Sequence, residues 1–344
     1  MKEIIGALTK FQRGYEEKIP ENTSALMAEI FSDRHDLLTL GTGSGEMCIG
    51  REEVTELIRS DWDGGWGDFK IDIEGAKIDA DGDAAWFYAD CTVEYSFEDS
   101  EERNKNSVDY VKEIIENQGA TPKQRLSFLN WLLRLKYNQR KPGKREYLWP
   151  SELSGMLVKE NGAWKIATLH FTIAKTSYPD ERFEEPLENY LAAHNSTRDK
   201  IVAHEGNKAN AQLLSMLKQL ENELANDAEL GGLCLDPQQV AVFEAGRFSW
   251  IVAIGAVKQK ISEDKIFDRS LQEIEESINS GLPPEDKLFS IKRSIAYALK
   301  ETALGTEFTY PIRLTAVVEK SEGGYKFRHR HFSYPFYWIL EGKL

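Results

Sequence analysis

The chain repeats itself, and this constrains its fold more than any single motif does. Laid without gaps, "WPSELSGMLVKENGAWKIATLHFT" (149–172) covers "YPIRLTAVVEKSEGGYKFRHRHFS" (310–333). The overlay pairs Pro150 with Pro311, Leu153 with Leu314, Gly162 with Gly323, Lys165 with Lys326 and His170-Phe171 with His331-Phe332. A second block sets 69–95 over 233–259 and pairs Asp72 with Asp236, Gly82 with Gly246 and Trp86 with Trp250. Between the blocks, "GATPKQRL" (119–126) resembles "GLPPEDKL" (281–288). Three blocks in one order at nearly constant spacing point to a tandem duplication. The join falls near "SYPDERFEEP" (177–186), where prolines and charges interrupt the strand pattern. Two domains are therefore expected, 1–180 and 181–344, and 344 residues suffice for two cores.

Each copy has the same predicted layout. A helix comes first (Ile4 to Tyr15; Leu187 to Ala193), and a second follows Gly50 or Gly206, with apolar residues at helical spacing. A hairpin of alternating strands turns at "DADGD" or "FEAGR". Two helices follow, around 107–118 and 122–137 in the first copy and 267–279 and 284–300 in the second. A last hairpin turns at "ENGA" or "SEGG". Helices packed on one face of a curved antiparallel sheet make an α+β domain, here with a helical pair inserted between the two hairpins.

Composition excludes some roles. A net charge of -14, from 57 acidic against 43 basic residues with no dense basic run, repels phosphate backbones and argues against nucleic acid. The first residues alternate apolar and charged positions, and no window approaches 18 apolar residues, so neither a signal peptide nor a membrane partner is expected and a cytoplasmic location is the default. Cys48, Cys91 and Cys234 are isolated and odd in number, which suits buried thiols rather than a disulfide frame or a zinc site.

The stretch "LLTLGTGSGEM" (37–47) invites a nucleotide reading that its chemistry resists. A phosphate loop ends Gly-Lys-Ser/Thr so that a lysine reaches the phosphates, whereas this turn ends Gly45-Glu46. A methyltransferase-like turn opens a helix directly inside a βαβ unit, whereas here Gly50 intervenes and the next strands read as a hairpin. The glycines read as a structural turn, or as a pocket mouth with Glu46 at its lip.

"LGTGSGEMCIGREEVTELIRSDW" (40–62) resembles the segment of SnoaL-like domains, in the nuclear transport factor two-like superfamily, where a strand ends in a small-residue turn and an acid before a Gly opens a helix. "IRLTAVVEKSEGGYKFRHRHFS" (312–333) resembles the last hairpin of that family, with Arg-x-Thr, an aromatic-Lys pair and a His-x-Ser ending. The resemblance implies two tandem cone-shaped domains, each with one apolar pocket, and pairing through the open sheet face. The superfamily holds isomerases, dehydratases, cyclases and non-catalytic modules, so the fold does not choose the function.

Catalysis in such a cone needs titratable groups aimed inward from strands. Alternation along "AWFYADCTVEY" puts Trp86, Tyr88, Asp90 and Thr92 on one face, and the last strand puts Thr168, His170 and Thr172 on one face. A carboxylate among aromatics can exchange a proton near neutrality, and so can histidine. Tyr88, Asp90 and His170 form the candidate catalytic cluster. The competing reading leaves Asp90 facing solvent or a domain interface and His170 a satisfied sheet histidine. Glu46, Trp62, Trp66 and Trp86 are the candidate ligand-binding residues, the tryptophans of "DWDGGWGD" serving either a pocket lid or the core. Position 252 is Val and 254 is Ile where the first copy has Tyr88 and Asp90, so the first pocket is the expected functional one. His329 and His331 stand two apart on a strand without an evident third ligand, and neither metal nor cofactor is expected. The expected role is a small-apolar-molecule binding or interaction module whose two domains pack on each other as an intramolecular pseudo-dimer, with further dimerisation open. The alternative is a cofactor-independent isomerase, dehydratase or cyclase.

Overall fold

A computed structural model describes residues 1–43, 46–63, 68–98, 101–116, 140–141, 144–173, 200, 209–227, 230–260, 263–282, 288, 291 and 307–335. Helix α1 (Lys2–Glu17) buries Ile4, Leu8, Phe11 and Tyr15 at helical spacing and ends with Lys18 in the left-handed conformation, its N–H bonded to the Gly14 carbonyl. Helix α2 (Thr23–Ile30) leads to β1 (Leu38–Leu40), and β2 (Met47–Ile49) leads to α3 (Gly50–Asp63), whose first residue has φ 81°. Strands β3 (Asp68–Ile71), β4 (Lys77–Asp81) and β5 (Ala84–Glu98) follow, then α4 (Glu101–Glu116) and β6 (Arg140–Lys141). Long strands β7 (Lys144–Glu160) and β8 (Ala163–Ile173) are joined through Asn161 and Gly162, both at positive φ, as a tight hairpin turn requires.

Among the described residues the second half repeats this order more briefly. Helix α5 (Ala211–Glu223) is capped by Asn210, whose side chain accepts from the Leu213 amide. Hairpin β9 (Leu233–Ala245) and β10 (Phe248–Lys260), helix α6 (Glu263–Asn279), and hairpin β11 (Glu307–Ser321) and β12 (Gly324–Ser333) follow. Hairpin, helix, hairpin thus occurs twice. The sequence-predicted helices at 187–193 and 122–137 lie outside the described residues, as does most of 284–300. The described inserted helices start earlier than predicted, at Glu101 and Glu263.

Two sheets result. The first runs β2-β1-β8-β7-β5-β3, with β4 also on β5 and β6 on β7; the second runs β12-β11-β10-β9. One expectation needs correcting: the first sheet is mixed, because α2 returns the chain so that β1 lies parallel to β8, Leu38 opposite Thr168. Register shifts at Met156/Leu157, Ala253/Gly255 and Val317/Val318 bend the long strands.

Strand alternation sorts the first sheet into two buried faces. Phe87, Ala89, Cys91 and Val93 of β5 pack with Leu153, Leu169 and Phe171 against α1, α2 and α3. The opposite face, with Leu38, Leu40, Met47, Trp86 and Met156, packs on Phe243, Phe248, Trp250, Val252 and Ile254 of the second sheet. The second sheet's far face buries Leu213, Leu217 and Leu220 of α5. Each large side chain buried in the sheet-to-sheet seam contributes about 1.5–3 kcal/mol, so the seam is a core in its own right.

Candidate functional site

His170 lies in that seam, fully buried. Its Nδ1 meets Thr315 Oγ1 at 2.7 Å and its Nε2 meets Ser333 Oγ at 2.9 Å. His331 does the reciprocal: Nδ1 meets Ser154 Oγ at 2.6 Å and Nε2 meets Thr172 Oγ1 at 2.8 Å. Every member has its counterpart 161 positions on: 154 and 315, 170 and 331, 172 and 333. The two rings lie 4.0 Å apart between centroids at 30°. A neutral imidazole has one donor and one acceptor nitrogen, and hydroxyls can answer both. Burial, then the facing histidine and Arg313, hold His170 well below the ordinary histidine range; burial, then His329, lowers His331 to about 3. His331 Nε2 also lies 3.6 Å from Glu152, but a ring neutral at pH 7 makes no ion pair there.

Asp90 is exposed on the same sheet face and accepts a 2.6 Å hydrogen bond from the half-buried Tyr88. Tyr88 and Trp86 pack on His329, at 4.6 and 6.1 Å between centroids. Burial lowers His329 to about 4, helped by Lys77 and Arg330. The structure therefore pairs Tyr88 with Asp90 and puts Trp86 and His170 in the seam; it does not aim Asp90 and His170 into one cavity. The physical reason is that the polar face of β5 and β8 turns toward the second sheet, while the apolar face turns toward the helices. Trp66 lies outside the described residues. Among the described residues no three His, Cys, Asp or Glu side chains are grouped to hold a metal ion.

The interior contains a different polar cluster. Tyr15, at the end of the apolar stripe of α1, donates a 2.7 Å hydrogen bond to Asp61 of α3 and packs edge-on against Trp62 and Phe69. Asp61 falls on the stripe of Val54 and Ile58, where a carboxyl is out of place unless it has a task. Burial among apolar groups, then the nearby charge of Glu46, raises Asp61 to about 8, while the Tyr15 bond pulls the other way. Burial likewise raises Glu46, against hydrogen bonds from Gly43 and Thr42 and the charge of Arg313, and raises Cys48 to about 11. Tyr15 is raised well above its usual value by burial and Asp61. Glu46, Cys48 and Asp61 each keep some water-accessible surface although protein surrounds them. Trp62 is buried beside them, and its Nε1–H has no partner among the described residues. Two carboxyls that repel each other's charge, a phenol and an unpaired indole N–H can hold a polar atom on an otherwise apolar molecule.

The glycines of the opening turn make room for one of these carboxyls. A Cβ on Gly41 would stand 2.3 Å from Glu46 Oε2, and one on Gly43 would stand 2.6 Å from Oε1. The Gly43 N–H donates to Glu46 Oε2 at 2.6 Å, and the Gly41 N–H donates to the Glu46 carbonyl at 2.8 Å. Gly43→Ala is expected to push the carboxylate out of its place and to destabilise by about 1–3 kcal/mol, the usual penalty for overpacking. Urea unfolding of the variant checks this; an unchanged midpoint refutes the fit.

Of this cluster, sequence reasoning named Glu46 and Trp62 as candidates and did not name Tyr15 or Asp61. The signal was available: an acid at position 61 of the stripe Val54, Ile58, Asp61, and a tyrosine at the last stripe position of α1.

Residues 12–111 match the SnoaL-like domain family, so the first half contains one SnoaL-like domain. No curated protein matches the chain. Similar solved structures include an NTF2-like protein of unknown function from Shewanella oneidensis (11% identity, 50% of this chain and 97% of that one, TM-score 0.29). An NTF2-like superfamily protein from Salmonella enterica has 14% identity over 52% of this chain and 93% of that one, TM-score 0.32. A putative scytalone dehydratase from Novosphingobium aromaticivorans has 12% identity over 51% and 83%, TM-score 0.31. No helix among the described residues is long and apolar enough to cross a membrane.

Proposed function

We propose that the chain is a tandem pair of SnoaL-like units packed as an intramolecular pseudo-dimer, and that the first unit binds a small, mainly apolar molecule between α1, α3 and β2. The observation that carries this reading is the set of groups spared from full burial there, Glu46, Cys48 and Asp61, beside Tyr15 and the unpaired Trp62 N–H. The reciprocal histidine contacts 161 positions apart support the pseudo-dimer. A thermal-shift screen with steroid-like, polyketide-like and terpenoid ketones tests the binding, since a ligand that binds only the folded state at about 100 times its Kd adds about 2.7 kcal/mol. Asp61→Asn is expected to weaken binding of any hit by about 1–3 kcal/mol, the cost of one mismatched buried hydrogen bond. Equal shifts in wild type and variant would move the site elsewhere.

One observation favours catalysis as a second reading. A carboxyl raised to about 8 is protonated at pH 7 and can give and recover a proton beside Tyr15. Deuterium exchange at the α-carbon of a bound ketone, followed by NMR, separates the readings. Exchange that Asp61→Asn abolishes makes the site an enzyme of the isomerase or dehydratase class; binding without exchange makes it a binding module.

A further inference from the structure

The clasp on the first unit's glycine turn comes from the second sheet. Arg313, on β11 two residues before Thr315, is almost fully buried and crosses the seam. Its Nη1 donates to the Gly41 carbonyl at 3.0 Å and its Nη2 to the Gly43 carbonyl at 2.6 Å. Gly43 also carries the amide that holds the Glu46 carboxylate, and its carbonyl accepts from the Glu46 amide at 3.1 Å. The planar guanidinium fork thus fixes two carbonyls of a turn whose next polar contact is the acid in the candidate site. We propose that Arg313 is a positioning residue: contributed by the second unit, it sets the glycine turn of the first unit and so fixes where the Glu46 carboxylate lies beside Asp61.

The electrostatics agree. Arg313 favours the ionised form of Glu46, and the charge of Glu46 in turn raises Asp61. The guanidinium is itself drawn down to about 10 by burial, against the attraction of Glu46, and remains charged at pH 7. The counterpart 161 positions earlier is Glu152, which is exposed and lies on the seam beside His331. The clasp is therefore one-sided: the first unit receives an arginine and returns none from that position.

The proposal rests on reading Glu46 and Asp61 as the polar end of a ligand site, but its test needs no ligand. Carboxylates of the full chain are titrated by carbon-detected NMR, with Gly43 amide exchange measured alongside. In Arg313→Met the Glu46 midpoint is expected to rise and Gly43 exchange to speed at least tenfold. In Arg313→Lys, which keeps the charge but loses the fork, Gly43 exchange speeds similarly while Glu46 moves less. A folded Met or Lys variant with an unchanged Glu46 midpoint and unchanged Gly43 exchange overturns the proposal, even if its melting temperature falls. Should neither variant fold, the unsubstituted protein decides: the Arg313 side-chain nitrogen shifts are expected to titrate in step with Glu46, and insensitivity to that titration overturns the proposal. A ligand screen without hits would sink the binding reading and leave these titrations untouched.

Discussion

His170→Ala is expected to lower the unfolding free energy by about 3–5 kcal/mol, and His331→Ala by the same amount to within about 1 kcal/mol. Each substitution leaves two buried hydroxyls without their ring nitrogens, Thr315 and Ser333 in one case and Ser154 and Thr172 in the other. A buried polar group left unpaired costs about 1–3 kcal/mol, and the space vacated by the ring adds a cavity term. The equality of the two losses is the informative part, because it follows only if both rings sit in equivalent surroundings. With rings 4.0 Å apart, the double variant is expected to lose less than the sum. Urea unfolding monitored by tryptophan fluorescence measures all three. A His170→Ala loss below about 1 kcal/mol, or losses differing several-fold, would mean that the seam is not organised as described.

Acid is expected to undo the same seam. His170, His329 and His331 all have folded-state values below the ordinary 6.5, so between pH 6.5 and those lower values the unfolded chain binds more protons than the folded one. Stability from these groups is complete above about pH 6.5 and is lost as pH falls toward about 4 for His329 and about 3 for His331. His331 alone accounts for a loss of order 5 kcal/mol across that window. The charges facing the cluster, Arg313 in the seam and Lys77 and Arg330 near His329, oppose protonation as well. Glu46 and Asp61 act with the opposite sign: raised in the folded state, they remove stability as pH rises, Asp61 up to about 8. A stability maximum between the two effects, near pH 6, is expected in urea midpoints collected from pH 3 to 9. Substituting His331 with a non-titrating residue should flatten the acid limb; a limb unchanged in that variant would assign the loss to other groups.

Alternation and turn chemistry were legible in the sequence because they are local. The Gly82 and Asn161-Gly162 turns, the stripe of α1, and the two faces of β5 all stand where the residues put them. Which face looks inward was not legible, because period-two alternation defines two faces without ranking them. Tyr88, Asp90 and His170 drew notice as polar groups on strands, yet the interior faces Phe87, Ala89 and Cys91. A subtler clue pointed the right way. His170 and Thr172 align with His331 and Ser333, and Ser154 aligns with Thr315; these hydrogen-bonding residues meet across the seam between the two sheets. The parallel pairing of β1 with β8 depends on where α2 returns the chain, a long-range matter that three residues, Leu38 to Leu40, cannot announce.

The one-sided clasp by Arg313 has a consequence for how such a site can change over time. When two identical chains pair about a twofold axis, any substitution appears on both sides at once, so an arginine useful to one site is imposed on the other. A chain carrying both halves is free of that rule. Position 313 holds an arginine while position 152 holds a glutamate, a combination that no pair of identical subunits can present. The histidine contacts are matched 161 positions apart, whereas the arginine at 313 has no matching arginine at 152.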